Sequence, residues 1–272
     1  IDCANVYGLS DNRERAGTSE TILGQAIKGK RDDLVITSKV SSSIGTENGP
    51  NDQGTSRYHI LREVEKSLKR LDTDHIDIYL IHQFHSSTPY DESLRAMEIL
   101  IQQGKIRYVG VCNYQAWQVV QSLRIQDTLN AAPLVTIQNP YSLLNRGLEK
   151  EMFPMLRETG TGMMAYSPLA AGLLTGTAAP PVVARTKGNA DLNNLINKTR
   201  KPLIKISQET GYTISQIAMA WILSKPEVSA VITGSDTQAH VEENVVSLKA
   251  EIPPENLEEL DQISNNAEGV FD

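Results

Sequence analysis

Short apolar runs rich in valine and isoleucine alternate along the chain with longer amphipathic stretches. Near-continuous apolar runs are typical of strands buried on both faces of a parallel sheet. Amphipathic stretches between them are typical of the helices that cover such a sheet. The predicted strands are Leu34–Lys39, Ile76–His82, Ile106–Cys112, Leu134–Gln138, Gly162–Tyr166 and Val228–Thr233, with the end of a seventh at Ile1–Ala4. This alternation predicts a parallel α/β fold with right-handed crossovers.

The helices are predicted from their apolar faces and their caps. Ser56 is placed to cap a helix that carries Ile60, Val64 and Leu68 on one face. The other predicted helices are Asp91–Gln103, ended by Gly104, and Trp117–Leu123, Leu148–Glu158, Ile214–Leu223, Gln238–Leu248 and Glu255–Ile263. The segment Ala178–Asn194 is rich in Pro, Ala, Gly and Asn and has no clear periodicity, so it is predicted to be a surface loop.

Length and charge limit the class of protein. A chain of 272 residues suits one barrel of alternating strands and helices, so residues 1–272 are expected to form a single domain. The net charge of −7 argues against nonspecific binding to nucleic acid or to an anionic membrane. No apolar run approaches the roughly 20 residues that span a bilayer, and no secretion signal is visible. With only Cys3 and Cys112 as cysteines, we expect a cytoplasmic protein.

Polar residues at the carboxyl ends of parallel strands are catalytic candidates, because barrels build their active sites at that face. The candidates are Lys39, His82, Asn113 and Gln138, with Asp2 and Tyr7 beside the first strand end. Each alone has an ordinary explanation. A lone histidine is more often structural, and a lone lysine is half-exposed or forms the Schiff base of an aldolase. Their shared position at one face favours a common chemistry.

The segment Asp2–Gly8 reads D-C-A-N-V-Y-G and resembles the D-x-A-x-x-Y-G signature of the aldo-keto reductase superfamily. Further family motifs follow in order through the whole chain, at 37–39, 77–82, 104–113, 138–141, 165–172 and 234–244. The resemblance implies a TIM (β/α)8 barrel. Since relatives carry a strand and a helix before this signature, the sequence is expected to lack the first β/α unit.

The resemblance also implies a catalytic tetrad of Asp2, Tyr7, Lys39 and His82. Tyr7 would donate a proton to a substrate carbonyl, although a free phenol has a pKa of about 10. The Lys39 ammonium would lower that pKa, and Asp2 would hold Lys39 charged and in place. His82 would orient the carbonyl by a hydrogen bond. The implied activity is reduction of an aldehyde or ketone by hydride transfer from a nicotinamide cofactor.

The cofactor contacts implied by the resemblance are Cys112, Asn113, Gln138, Tyr166, Ser167, Leu169, Gly234, Asp236, His240, Glu243 and Asn244. Cys112 stands where serine is common, and a thiol is a weaker donor. Tyr166 would stack under the nicotinamide ring. Asp236 and Thr237 stand where the family has a serine and a cation for the 2′-phosphate of NADPH. The resemblance implies NADP as the cofactor. NAD is the alternative, because the Asp236 carboxylate would repel the 2′-phosphate of NADPH. No metal is expected.

Two alternatives to a reductase remain open at this stage. The chain could be a catalytically weak cofactor-sensing subunit or interaction protein of the same fold, or an aldolase that uses Lys39. The substrate and the oligomeric state are not indicated, because specificity lies in the loops Ser41–Gly54, Phe84–Tyr90 and Ala178–Asn194. A G-x-G-x-x-A match at Gly160–Ala165 is set aside, because it follows a predicted helix and enters a strand.

Overall fold

A computed structural model of the chain describes residues 1–8, 15–42, 44, 49, 51–265 and 267, apart from the side chain of Arg185. The predicted specificity loop Ser41–Gly54 lies partly outside these residues, at 43, 45–48 and 50. The chain forms two compact units, residues 1–137 and 138–272. None of the helices in the described part of the chain is long and apolar enough to cross a membrane.

The first unit contains three parallel strands and the helices that connect them. The strands are β1 (Thr37–Val40), β2 (Ile76–Ile81) and β3 (Ile106–Cys112), and the helices are α1 (Thr18–Ala26), α2 (Arg57–Leu71), α3 (Tyr90–Gln102) and α4 (Ala116–Leu129). β2 lies between β1 and β3, with Lys39 opposite Leu80 and Leu80 opposite Gly110. The carboxyl ends of the three strands are therefore aligned, as the α/β prediction requires.

The second unit repeats the alternation. Strand β4 (Leu134–Pro140) runs across the boundary between the units, and β5 (Gly162–Tyr166) pairs in parallel with β6 (Val228–Ile232). The helices are α5 (Leu148–Thr159), α6 (Pro180–Thr186), α7 (Ala190–Thr210), α8 (Ile214–Leu223), α9 (Gln238–Val246) and α10 (Pro254–Ser264). Short 3-10 turns occupy Arg31–Asp33 and Ser247–Lys249.

The predicted strand end at Ile1–Ala4 is a single parallel bridge between Asp2 and Thr37 rather than a strand. Two backbone hydrogen bonds flank it, from Cys3 N to Thr37 O at 2.9 Å and from Thr37 N to Ile1 O at 2.9 Å. This pairing places Asp2 beside β1. The predicted strand at Leu34–Lys39 also differs, because β1 begins at Thr37. The Asp77 carboxylate accepts a hydrogen bond from Ile36 N at 2.8 Å, in place of a strand partner, just before β1 begins.

The prediction of a loop over Ala178–Asn194 is wrong for most of that segment. Helix α6 begins at Pro180 and Pro181, whose fixed φ suits the first turn of a helix. Helix α7 begins after Asn189, whose side chain accepts a hydrogen bond from Leu192 N at 3.0 Å. The local composition suggested a loop because prolines and asparagines are common in loops. Here the same residues begin helices.

Other local predictions are confirmed. The Ser56 side chain caps α2 by accepting a hydrogen bond from His59 N at 3.3 Å, and Ile60, Val64 and Leu68 are buried on that helix. Helix α5 ends at Thr159 and β5 starts at Gly162, so the G-x-G-x-x-A match follows a helix and runs into a strand, the wrong order for a dinucleotide fingerprint.

Candidate active site

Lys39 lies near the end of β1 with its side chain fully buried, at 0% exposure. Its ammonium donates to Asp2 Oδ2 at 2.6 Å, to Cys3 O at 2.9 Å and to Tyr7 Oη at 3.3 Å. An ammonium has three N–H donors. The three acceptors satisfy all of them, so the direction of the Lys39 side chain is fixed.

Tyr7 lies on the turn that follows the bridged segment, held by a backbone hydrogen bond from Tyr7 N to Ala4 O at 3.1 Å. Its side chain is partly exposed, and the Lys39 Nζ atom lies 4.6 Å from the centre of its ring. The phenol therefore contacts the buried ammonium while part of its ring is open to solvent. A proton donor that must meet a small substrate needs both properties.

His82 follows β2 and is tied to β1 by a hydrogen bond from His82 N to Val40 O at 2.8 Å. Its ring meets the Tyr7 ring edge-on, with centroids 5.6 Å apart and an interplanar angle of 77°. Burial, reinforced by the Lys39 charge, lowers the pKa of His82 to about 4. The imidazole is therefore neutral at pH 7 and carries one N–H donor.

The pKa values of Lys39 and Tyr7 follow from burial and from each other. Burial alone would lower the pKa of Lys39, but the Asp2 carboxylate and Tyr7 outweigh it, and the net pKa is raised. Burial raises the pKa of the Tyr7 phenol above its ordinary value, against the opposing effect of Lys39. The expected lowering by Lys39 is thus present, but burial exceeds it. In the chain by itself, Lys39 is charged and Tyr7 is a neutral acid.

A protonated Lys39 argues against the aldolase alternative. A Schiff-base lysine must lose its proton to attack a carbonyl, which usually requires a lowered pKa. Here Asp2 and Tyr7 raise the pKa of Lys39. All three N–H groups of the ammonium donate hydrogen bonds, so it acts as a hydrogen-bond donor and a positive charge rather than as a nucleophile.

Cys112 is the last residue of β3, and Asn113 follows it. Cys112 is 1% exposed, and burial raises the pKa of its thiol above the ordinary value. Asn113 has a left-handed backbone with φ of 58°, and its Nδ2 donates to His82 O at 3.1 Å. The side chain of Asn113 thus links the end of β3 to the residue that follows β2.

The remaining predicted cofactor contacts lie in the second unit. Gln138 is buried in β4, and Tyr166 ends β5, where its carbonyl accepts from Tyr141 N at 3.1 Å. Ser167 has φ of 56° and opens a tight turn, closed by a hydrogen bond from Ala170 N to Ser167 O at 3.0 Å, that also contains Leu169.

The segment Gly234–Asn244 leads into α9. Thr237 caps the helix by accepting from His240 N at 3.2 Å, and both Asp236 and His240 are exposed. Asn244 donates to Ser235 Oγ at 3.1 Å. Glu243 lies farther along the helix, and its Oε1 accepts from Thr213 Oγ1 at 2.6 Å.

One buried residue near the tetrad was not identified from the sequence. Glu20 on α1 is fully buried and accepts hydrogen bonds from Ser38 and from Arg70. A signal was available, because Glu20 precedes Leu23 and Ile27 by three and seven residues and so shares the apolar face of its helix.

Comparison with known proteins identifies the family. The protein-family sequence model described as "Aldo/keto reductase family" matches residues 1–265. The chain belongs to the aldo/keto reductase family. The family fold is a TIM barrel, and its members use nicotinamide cofactors. The α/β fold class and the sequence resemblance are thereby confirmed.

Several curated relatives cover nearly all of the chain. "Uncharacterized oxidoreductase YrpG" of Bacillus subtilis is 38% identical over 97% of this chain and 82% of its own length. "Probable voltage-gated potassium channel subunit beta" of Arabidopsis thaliana is 33% identical over 97% of this chain and 85% of its own. "L-glyceraldehyde 3-phosphate reductase" of Escherichia coli O157:H7 is 29% identical over 96% and 78%. Family membership, with relatives named as an oxidoreductase and a reductase, makes the chain an oxidoreductase that acts on a carbonyl.

Proposed function

We propose that this aldo/keto reductase reduces a small aldehyde or ketone with Tyr7 as the proton donor, Lys39 and Asp2 as its charge pair and His82 as the residue that orients the carbonyl. The supporting observation is the position of the Lys39 ammonium, 2.6 Å from Asp2 and 3.3 Å from the Tyr7 oxygen. The bound nicotinamide supplies the hydride. The reaction needs one proton at the carbonyl oxygen, and Tyr7 in the first unit would supply it.

The proton path begins with the Tyr7 phenol. Since Lys39 donates to the Tyr7 oxygen, the phenol proton is free to point away from Lys39 toward a carbonyl oxygen. When Tyr7 gives up this proton, the ammonium stabilises the phenolate that is left. Neutral His82, whose ring lies against Tyr7, donates a second hydrogen bond to the carbonyl oxygen of the substrate. Charge on the oxygen is therefore stabilised as it develops.

The test of this role is Tyr7→Phe, which removes the proton and keeps the ring. We expect oxidation of NADPH or NADH with a panel of small aldehydes to fall by at least roughly 100-fold, the scale of general acid catalysis. Quenching of protein fluorescence by the cofactor should persist. Tyr108→Phe is the matched control, because Tyr108 is 54% exposed near the start of β3, and it should keep full activity.

Two results would contradict the assignment. Full turnover by Tyr7→Phe would remove Tyr7 as the acid. Cofactor binding by the parent protein without turnover of any aldehyde would favour a cofactor-sensing role. Three relatives named as potassium channel beta subunits make that second role a specific alternative.

We also propose NADPH as the cofactor, with unusual tolerance of NADH. By the family resemblance, Asn113, Gln138 and Tyr166 would hold the nicotinamide. In the segment Gly234–Asn244, the adenosine end would contact Gly234, Asp236, His240, Glu243 and Asn244. That segment contains no lysine or arginine, and Asp236 is exposed just before α9. A carboxylate repels the 2′-phosphate of NADPH but can accept a hydrogen bond from the free ribose hydroxyl of NADH.

The variant Asp236→Ser tests the cofactor proposal. Removing the negative charge should tighten NADPH relative to NADH by about 5- to 10-fold, which corresponds to roughly 1 kcal/mol of like-charge repulsion at an exposed site. Titration of each cofactor by fluorescence measures the ratio. The matched control is Glu242→Gln, a neighbouring carboxylate that is bonded to Gln238 on the outer face of α9. An unchanged ratio in Asp236→Ser would reject the argument.

The wider assignment is proposed on the same grounds. We propose that residues 1–272 act as one domain, since one family model spans both compact units. A cytoplasmic location is supported by two cysteines that are both buried. The substrate is a small carbonyl compound, and neither a nucleic acid nor a membrane is proposed as a partner.

A further inference from the structure

A carboxylate is buried behind the strand that carries Lys39. Glu20 lies in the first turn of α1 at 0% exposure. Its Oε1 accepts from Ser38 Oγ at 2.5 Å, and its Oε2 accepts from Arg70 Nε at 2.7 Å. Consecutive side chains of a strand point to opposite faces. Ser38 therefore contacts Glu20 on the helix side of β1, while Lys39 contacts Asp2 and Tyr7 on the other side.

The same turn of α1 also holds the backbone of Tyr7. The N–H of Ser19 donates to Tyr7 O at 3.2 Å. Since Ser19 and Glu20 are consecutive, one helical turn is bonded both to the proton donor's backbone and to the residue before Lys39. The first turn of α1 therefore helps to hold the 3.3 Å contact between the Tyr7 oxygen and Lys39 Nζ from outside the site.

The packing of α1 leaves Glu20 little room to move. A Cβ placed on Gly24 would lie 2.6 Å from the backbone oxygen of Arg70, and one on Gly17 would lie 2.6 Å from Arg70 Cδ. Helix α1 therefore approaches the end of α2 closely at both glycines. Arg70, the charged partner of Glu20, is held at that contact.

We propose that Glu20 is a positioning residue that sets the contact between Tyr7 and Lys39 and thereby the acidity of Tyr7. The proposal rests on the proposed function, in which Tyr7 is the acid. Replacing Glu20 by glutamine keeps its shape but removes the charge that binds Arg70. The contacts of Glu20 with Ser38 and Arg70 then weaken, and the Lys39 ammonium moves away from the phenol. Its lowering effect on the Tyr7 pKa becomes smaller.

The sign of the pKa change separates positioning from simple electrostatics. The groups that face Tyr7 are Lys39 on β1, Asp2 beside it, His82 after β2 and Cys112 on β3. Loss of a negative charge at Glu20 would, as a direct effect, lower the pKa of a phenol. Loss of the Lys39 contact would raise it. If Glu20 acts by positioning, the pKa of Tyr7 therefore rises when Glu20 is replaced by glutamine.

The kinetic experiment compares Glu20→Gln with Glu63→Gln in the full chain. Glu63 is also buried, at 1% exposure, but its charged partners Lys66 and Arg62 lie on its own helix. We expect Glu20→Gln to lower kcat about 10-fold with an unchanged KM for the cofactor, since small misplacements of reacting groups have effects of this size. The alkaline limb of the pH profile of kcat should move to higher pH in Glu20→Gln. Glu63→Gln should retain the parent values. Equal losses in both variants would overturn the proposal.

A second readout does not depend on turnover. Titration of tyrosine Cζ by 13C NMR, with the Tyr7 signal assigned by its loss in Tyr7→Phe, gives the Tyr7 pKa directly. Glu20→Gln should raise it, and Ser38→Ala should raise it less, because only one hydrogen bond is lost. An unchanged or lowered Tyr7 pKa would overturn the proposal. If Tyr7→Phe proved active, this titration would still decide the placement, and if Glu20→Gln did not fold, Ser38→Ala would decide it.

Discussion

A single histidine carries the clearest pH signature among the candidate residues. The pKa of His82 is lowered to about 4 in the folded chain, against about 6.5 in an unfolded one. Between these values the unfolded chain binds a proton that the folded chain does not. The free energy of unfolding therefore has its full value above pH 6.5 and falls as the pH drops toward 4.

This difference predicts the behaviour of a variant that cannot titrate. Between pH 7 and pH 4.5 the parent protein should lose up to about 3 kcal/mol more stability than His82→Gln, as 1.36 kcal/mol per pKa unit implies. Urea unfolding at the two pH values measures the loss. Since both proteins keep His59 and His85, those histidines contribute equally. Parallel losses in the two proteins would show that His82 titrates normally.

The grouping of side chains at this scale was predictable, but their energetics were not. Asp2, Tyr7, Lys39 and His82 were expected together because each lies at a strand end or beside one. The net rise in the pKa of Tyr7 was not expected, because it depends on how deeply the phenol is buried. Burial depends on residues far away in sequence, and no local pattern reports it. Glu20 differs, because its spacing to Leu23 and Ile27 puts it on the apolar face of its helix, and its burial was open to prediction.

At the scale of elements, the contact of α1 with α2 gives a test whose sign is informative. Gly24 lies inside a helix, where alanine would ordinarily be more stabilising by about 1 kcal/mol. A methyl group here would meet the backbone oxygen of Arg70 at 2.6 Å and the backbone of Leu71 at 2.7 Å. Neither backbone atom can rotate away.

We therefore expect Gly24→Ala to destabilise the protein by about 1–3 kcal/mol, as overpacking does. Thermal unfolding followed by circular dichroism measures the change. Gly29→Ala is a useful comparison, because a Cβ there meets nothing within 4 Å and the only cost is its φ of 73°. A stabilised Gly24→Ala would mean that the two helices are not in backbone contact.

Strands were easier to predict than helices along this chain. The bounds of β3 and β5 were predicted to the residue, because buried parallel strands are continuous apolar runs. The start of β1 was misplaced, since the Asp77 side chain bonds the Ile36 N–H in place of a strand partner. Helices α1, α6 and α7 were not predicted. Their start signals are Gly17 with φ of 83°, Pro180 and the Asn189 cap, which are residues that also mark loops.

At the scale of the whole molecule, the single-domain proposal can be tested through a buried arginine of the second unit. Arg146 is 8% exposed and donates two hydrogen bonds to Glu149, at 2.6 and 2.7 Å. It also donates to Asp261 O at 2.6 Å and Ser264 Oγ at 3.0 Å, which connects the segment before α5 to α10.

Arg146→Met should destabilise the second unit by about 3–5 kcal/mol, because it removes one partner of a mostly buried ion pair. If residues 1–272 form one domain, unfolding in urea is a single transition, and both Arg146→Met and Gly24→Ala lower its midpoint. Two transitions, each moved by only one of the variants, would show that the units unfold separately. Tryptophan fluorescence and circular dichroism should give the same midpoint.

The burial of Cys3 and Cys112 has a practical consequence for spectroscopy. Both are 1% exposed, and burial raises the pKa of the Cys3 thiol to about 12 and that of Cys112 higher still. Since maleimides and oxidants react with the thiolate, both sulfurs resist them at neutral pH. A cysteine introduced on the surface would then take a fluorophore or a spin label selectively. Movements of the loops around a bound aldehyde could be recorded without replacing a native residue.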